Sequence, residues 1–131
     1  VVRSAWPQPS QAPRQGPKAG EISVIELAPE WREALQGLSP GRDLWVICWL
    51  DRADPPQTRL HPRRDPSRPK TGVFNTRAPC RPNPLSLTLV RLEAVEGQRL
   101  TVRGLEMADG TPVLDLKPYV AAIDRPREEK P

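Results

Sequence analysis

The sequence predicts a mainly β protein: a small closed or strongly coiled β-barrel with one or two short helices. Three observations carry that expectation. Eighteen prolines in 131 residues, about 14%, with a single Phe and a single Tyr, argue against a helical bundle. Several runs have strand character, and glycine-bearing turns separate the later ones. In the longest run, Leu85, Leu87 and Leu89 face one way while Val90 and Leu92 face the other. Apolar residues on both faces suit a closed or coiled sheet better than an open one with a wet side. The length suggests one domain with one core, placed at residues 1–123, followed by a polar tail at 124–131.

Taken in order, the first residues read as the middle of a strand, which leaves the true N-terminus open. Glu21 to Leu27 alternates polar and apolar residues, as a half-buried strand does. Pro29 to Leu38 follows as a short helix, with proline suited to the first turn and Gly37 near the exit. Trp31, Leu35 and Leu38 would form its apolar stripe. Asp43 to Leu50 (DLWVICWL) is apolar enough for a central strand buried on both faces, with Trp45 and Trp49 as core residues. Residues 51–71 form a long Pro-, Arg- and Asp-rich loop. Such lengths are usually functional or disordered. Arg59, Arg63, Arg64, Arg68 and Lys70 make it either a basic arm for phosphates or a solvated flexible loop. Leu85 to Val95 and Leu100 to Leu105 pair as a hairpin through the glycine-containing turn at 96–99. Asp109-Gly110 is a further turn, and Val113 to Leu116 a last short strand.

A net charge of +4 favours an anionic partner such as RNA. No run approaches the ~18 apolar residues of a membrane span, and no signal peptide is visible; the sparse, widely spaced cysteines make a reducing, cytoplasmic setting the expectation. Cys48 and Cys80 lie far apart, and His61 is the single histidine. Neither a metal site nor a disulfide framework is supported. Rossmann, P-loop and nucleophile-elbow motifs are absent, and His61 reads as a surface residue.

The informative segment is Gly72 to Pro84, GVFNTRAPCRPNP. Pro82 and Pro84 bracket Asn83 and bias the residues before them to extended geometry, which makes the loop rigid. Arg77 and Arg81 on it can present planar forks to an anion or serve as loop anchors. Asp51, Asp109 and Asp115 stand in usable places, each also readable as a turn or salt-bridge residue. Residue chemistry alone does not choose between an enzyme and a binding module.

The blocks GVFNTRAPCRPNPLSLTLVRL (72–92) and GLEMADGTPVLDLKPYV (104–120) closely resemble the TsaA-like family, whose characterised bacterial members are tRNA methyltransferases of the TrmO type. Ser4 and Pro13-Arg14-Gln15 resemble its N-terminal strand and PRQ element, and the likeness extends to about Ile123. The resemblance implies a homodimer that binds S-adenosylmethionine in a small β-barrel and methylates N6 of threonylcarbamoyladenosine at position 37 of tRNA. Carried over, Pro13, Arg14, Gln15, Arg77, Leu87, Asp109, Gly110, Thr111 and Pro112 would contact the cofactor.

An arginine fork suits the cofactor's carboxylate, an aspartate its ribose, and backbone groups of a turn its adenine. Gly110 would allow close approach of the main chain. Arg81, Asn83, Lys117 and Tyr119 are candidates for substrate contact, each with a structural alternative. Asp51 and Asp115 are weak candidates for a general base. The family's His-Gln pair after the central strand falls on Asp51-Arg52, and its Ile-Gly after RPNP on Leu85-Ser86. These departures leave pocket shape and methyl acceptor open. The alternatives are a regulatory or accessory cofactor-binding module without transfer activity, or a methyltransferase with another substrate.

Overall fold

The computed structural model describes residues 1–12 and 20–127. Its strands are β1 (Val2–Arg3), β2 (Ile22–Glu26), β3 (Asp43–Trp49), β4 (Arg59–Leu60), β5 (Thr71–Gly72), β6 (Leu85–Glu96), β7 (Arg99–Arg103) and β8 (Val113–Pro118). Six of them make one antiparallel sheet in the order β1-β2-β7-β6-β3-β8, and β4 pairs with β5 separately. The β6–β7 hairpin is the predicted one. Glu96 pairs with Arg99 across a turn in which Gly97 has φ +61°, a conformation glycine adopts without strain. A register shift between Leu92 and Ala94 marks a bulge in β6.

Period-two burial puts Ile25, Leu44, Val46, Cys48, Val90, Leu92, Leu100 and Val102 on one face, where Val2, Leu35, Leu105 and Met107 join them as the core. Burying each large aliphatic side chain contributes roughly 1.5–3 kcal/mol. This one-sided core is what holds β3 and β6 side by side.

The sheet is open, so the expected closed or coiled barrel is not what forms. No ladder joins the edge strands β1 and β8. They approach only through the bend before β8, where Val2 N donates to Thr111 O and Gly110 N donates to Val2 O. Gly110, at φ +86°, turns the chain out of extended geometry, and Pro112 has no N–H with which to continue a ladder. The second apolar face that suggested closure lies outside. Leu85, Leu87 and Leu89 are 42–47% exposed, and on β3 Trp45 and Ile47 are half-buried and Trp49 is exposed. Strand β3 is therefore buried on one face, and Trp45 and Trp49 are not core residues.

The helix predicted at Pro29 to Leu38 is a 3₁₀ helix, Pro29–Leu35, and Trp31 is 59% exposed. At three residues per turn, positions four apart no longer share a face, so Leu35 is buried while Trp31 is not. Among the described residues the one short α-helix, α1, is Ala121–Asp124. The long loop has structure of its own: the β4–β5 pair and a 3₁₀ turn at Pro62–Arg64.

Candidate functional site

The arginine loop leaves β5 through a 3₁₀ turn, Val73–Asn75, pinned by the buried Val73. Thr76 Oγ1 donates to Val73 O (2.8 Å), and Arg81 Nη1 donates to Thr76 O (2.9 Å) and Ala78 O (3.0 Å). Arg81 thus takes the anchoring role rather than presenting its fork outward. Asn83 O accepts from Leu85 N (2.7 Å), which closes a three-residue turn centred on Pro84. Arg77 is directed to β6 instead, with Nη2 donating to Leu87 O at 2.6 Å.

That contact lies on an unpaired stretch of sheet. Leu92 bonds toward the β3 side, its O accepting from Gly41 N and its N donating to Arg42 O. Backbone groups alternate sides along an antiparallel strand. Leu87 and Leu89 therefore point theirs the other way, toward β7. The β6–β7 ladder, however, begins only at Arg91 opposite Arg103. Among the described residues the backbone of Leu87 and Leu89 is thus an open edge, with the Arg77 guanidinium at one of its acceptors. A guanidinium has five N–H donors, so one bond to Leu87 leaves it able to bind an anion.

The second bend, Asp109–Pro112, latches the N-terminal segment. Asp109 Oδ1 accepts from Ser4 N (3.0 Å), Ser4 Oγ donates to Met107 O (2.7 Å), and Asp109 N donates to Trp6 O (2.6 Å). The Arg3 guanidinium lies 3.8 Å from Asp109 Oδ2. Arg52 closes the latch by donating to Pro7 O and to Asp109 O, both at 2.8 Å. Thr111 is buried, and its hydroxyl donates to Ala108 O (2.7 Å), so it shapes the bend from within. Among the described residues a Cβ on Gly110 would meet nothing within 4 Å, and its φ of +86° is a conformation that glycine adopts without strain.

Both motifs meet at the end of β3. Trp49 N donates to Pro112 O (3.0 Å), and the next residue's N, that of Leu50, donates to Pro84 O (2.7 Å). One strand end thus has the proline-arginine loop on one side and the Asp-Gly bend on the other, with Asp51 and Arg52 emerging between them. Of the predicted positions, Asp109, Gly110, Thr111 and Pro112 lie on the bend, Arg77 lies on the loop, and Leu87 lies on β6 beside Arg77, so the two segments that carry them flank one strand end. Pro13, Arg14 and Gln15 lie outside the described residues.

The remaining candidates stand apart from that strand end, on β8 and just beyond it. Lys117 is exposed opposite Trp45, and Asp115 lies opposite Ile47 with its Oδ1 accepting from Leu116 N. Tyr119 makes an edge-to-face contact with Trp45, centroids 5.9 Å apart, so its ring packs. Sequence reasoning missed the bridging role of Arg52, whose two acceptors lie 45 and 57 residues away. It also missed Glu106, which is 3% exposed, has φ +53°, and has no hydrogen-bond partner for either carboxylate oxygen among the described residues. Burial, and secondarily the charge of Glu21, raises its carboxyl above the usual glutamate range. No group of three or more metal-ligating side chains occurs among the described residues. No helix there is long and apolar enough to cross a membrane.

Comparison with known proteins places the chain in a family. The family model for the tRNA-methyltransferase O N-terminal domain matches residues 1–125. A probable S-adenosyl-L-methionine-binding protein of Methanothermobacter thermautotrophicus is 46% identical over 124 residues, 95% of this chain and 88% of that protein. A putative S-adenosylmethionine-dependent methyltransferase, RcsF of Pseudomonas aeruginosa, is 39% identical over 94% of this chain and 53% of its own length. Among solved structures, a crystal structure of TrmO superposes with TM-score 0.78 at 34% identity, covering 99% of this chain. TrmO from Pseudomonas aeruginosa gives 0.78 at 36% identity over 98% of it. The chain spans 59% and 57% of those two solved chains. With a family match over 125 of 131 residues, the chain belongs to the tRNA-methyltransferase O N-terminal domain family.

Proposed function

We propose that the chain is an S-adenosylmethionine-dependent methyltransferase acting on tRNA, with N6 of threonylcarbamoyladenosine at position 37 as acceptor. The observation that carries this reading is the open β6 edge at Leu87 with Arg77 beside it, set across β3 from the Asp-Gly bend. The relatives named for binding or using this cofactor, and the TrmO structures, support it.

The donor set fits the cofactor. Arg77 supplies a fixed fork for its carboxylate, while Leu87 and Leu89 supply backbone donors and acceptors for a heteroaromatic edge. Asp109 spends one oxygen on Ser4 but has further lone pairs for ribose hydroxyls. In this reading Pro13, Arg14 and Gln15 complete the site, since they follow directly on the segment that Asp109 and Arg52 latch. When bound, the cofactor supplies an electrophilic methyl group on a sulfonium. The chain's own part is alignment, which can supply much of the rate of an in-line displacement. Of the two acids, Asp51 is the better placed to accept the N6 proton, because it leaves β3 where both motifs meet, whereas Asp115 lies on the outer face. Lys117 would meet substrate phosphate.

The working unit in this reading is a cytoplasmic homodimer. The exposed row of Leu85, Leu87, Leu89 and Trp49 supplies an apolar face for a second copy. The decisive experiment incubates purified protein with methyl-labelled cofactor and with tRNA bearing or lacking the threonylcarbamoyl group. Label is expected only in the modified tRNA. Cofactor binding without transfer to any RNA would instead identify a binding module.

A further inference from the structure

We propose that residues 57–71 and Phe74 form an RNA-gripping arm, with arginines on backbone phosphates and the Phe74 ring stacked on an unpaired base. This deepens the tRNA reading above and rests on it.

The charge is local. Residues 51–84 hold eight of the 20 basic side chains and three of the 16 acidic ones, a net of +5 against +4 for the whole chain. The positive field of this protein therefore belongs to one segment. That segment is also built rather than slack. At its base Val73 N donates to Thr58 O (3.0 Å), Gln57 N donates to Cys80 O (3.1 Å), and Arg59 and Leu60 pair with Gly72 and Thr71. At its tip the His61 ring bonds Arg68 O (2.7 Å), Arg64 N donates to His61 O (3.1 Å), and Ser67 Oγ donates to Asp65 Oδ1 (2.6 Å). Arg63 and Arg64 both sit at φ +55°, which non-glycine residues adopt at a cost and which recurs at functional loops. The side chains of Arg59, Arg64, Arg68 and Lys70 are exposed. Their recorded ion pairs, Arg64 with Asp54 at 3.7 Å and Arg68 with Asp65 at 3.6 Å, are loose surface contacts that a phosphate can replace.

Phe74 stands where this arm joins the arginine loop. It is the chain's single Phe and is 79% exposed, more than Trp31 at 59%. Its backbone is nonetheless held, by buried Val73 on one side and by the bond from Asn75 Nδ2 to Thr71 Oγ1 (3.1 Å). A rigidly mounted, solvent-facing ring beside a row of arginines is the chemistry that recognises single-stranded RNA. Bases stack on the aromatic face while cations track the phosphates. An acidic peptide would need the cations but not the ring.

The test measures anisotropy of a fluorescent tRNA transcript with wild type, Phe74→Ala, Phe74→Tyr, and a triple variant Arg59→Gln, Arg64→Gln, Arg68→Gln, at several salt concentrations. Phe74→Ala is expected to bind roughly 5- to 150-fold more weakly, and Phe74→Tyr near wild type. The triple variant should reduce the salt slope by about 2–3. Calorimetry should give unchanged cofactor affinity for all three variants, and sedimentation an unchanged oligomeric state. If Phe74→Ala binds RNA like wild type, or shifts the monomer–dimer balance, the ring is no base platform and the proposal is overturned. An unaltered salt slope in the triple variant overturns the arm. Absence of RNA binding by wild type defeats the tRNA reading and this one together, whereas binding indifferent to these variants defeats only this one.

Discussion

Replacing Arg52 with alanine removes one side chain and cuts two connections at once. Its guanidinium donates to Pro7 O and Asp109 O, both at 2.8 Å, and so ties the N-terminal segment to the Asp-Gly bend. Hydrogen bonds from charged donors are each worth about 1.5–3 kcal/mol when shielded from water. The Arg52 side chain is 36% exposed, and water can satisfy both carbonyls once it is gone. Discounting each bond by about half leaves roughly 1.5–3 kcal/mol for the pair. If the cofactor needs the latched bend, at most that energy can be lost from binding, which is about 10- to 150-fold in Kd. Calorimetric titration with S-adenosylmethionine, alongside thermal denaturation, reads both quantities. Lysine at this position keeps the charge but offers a single point donor in place of a fork. Arg52→Lys is therefore expected to recover less than half of the loss. A Kd and a Tm both unchanged in Arg52→Ala would show that the latch holds without this residue and would refute the argument.

Three further outcomes are expected. Burial raises the Glu106 carboxyl, so the native state holds that proton more tightly than the unfolded chain, and stability falls as pH rises past the ordinary glutamate value of about 4.3. Glu106→Gln should remove that slope and raise stability at neutral pH; a loss in denaturant titration would mean that the carboxylate has a cationic partner. Burial pushes the Cys48 thiol from 9.0 up to about 11, so a thiol reagent at mildly alkaline pH should label Cys80 in the native protein and Cys48 only after unfolding. Equal labelling rates would contradict the packing. For the proposed homodimer, Leu89→Glu places like charges on the apolar face and should give monomers in sedimentation velocity, an idea lost if wild type is already monomeric.

Much of the sheet was legible because its signals are local. The β6–β7 hairpin announced itself by alternating residues around Gly97, and the strand at Asp43 to Leu50 by its apolar density. Closure was misread for a physical reason. A strand with two apolar faces looks the same whether the second face lines a barrel or meets another surface, and here Leu85, Leu87 and Leu89 lie outside. The 3₁₀ character of Pro29–Leu35 was hidden because a pattern of apolar residues three and four apart reads as α-helical. At the site, the two motif blocks were visible as text, but their meeting at Trp49 and Leu50 was not. Backbone bonds from consecutive residues to Pro112 and Pro84 leave no mark on residue choice. Arg52 was invisible for the same reason, since both of its acceptors are carbonyls.

The exposed ladder groups of Leu87 and Leu89 carry a consequence for how this protein can be dissected. Recognition through amides is indifferent to the side chain attached, so a scan read by cofactor affinity alone would miss these positions even if they dominated it. Evolution has the same licence: the two residues can drift among strand formers while the contact persists. Replacing single amides by esters, through chemical ligation, is the substitution that would make this edge speak.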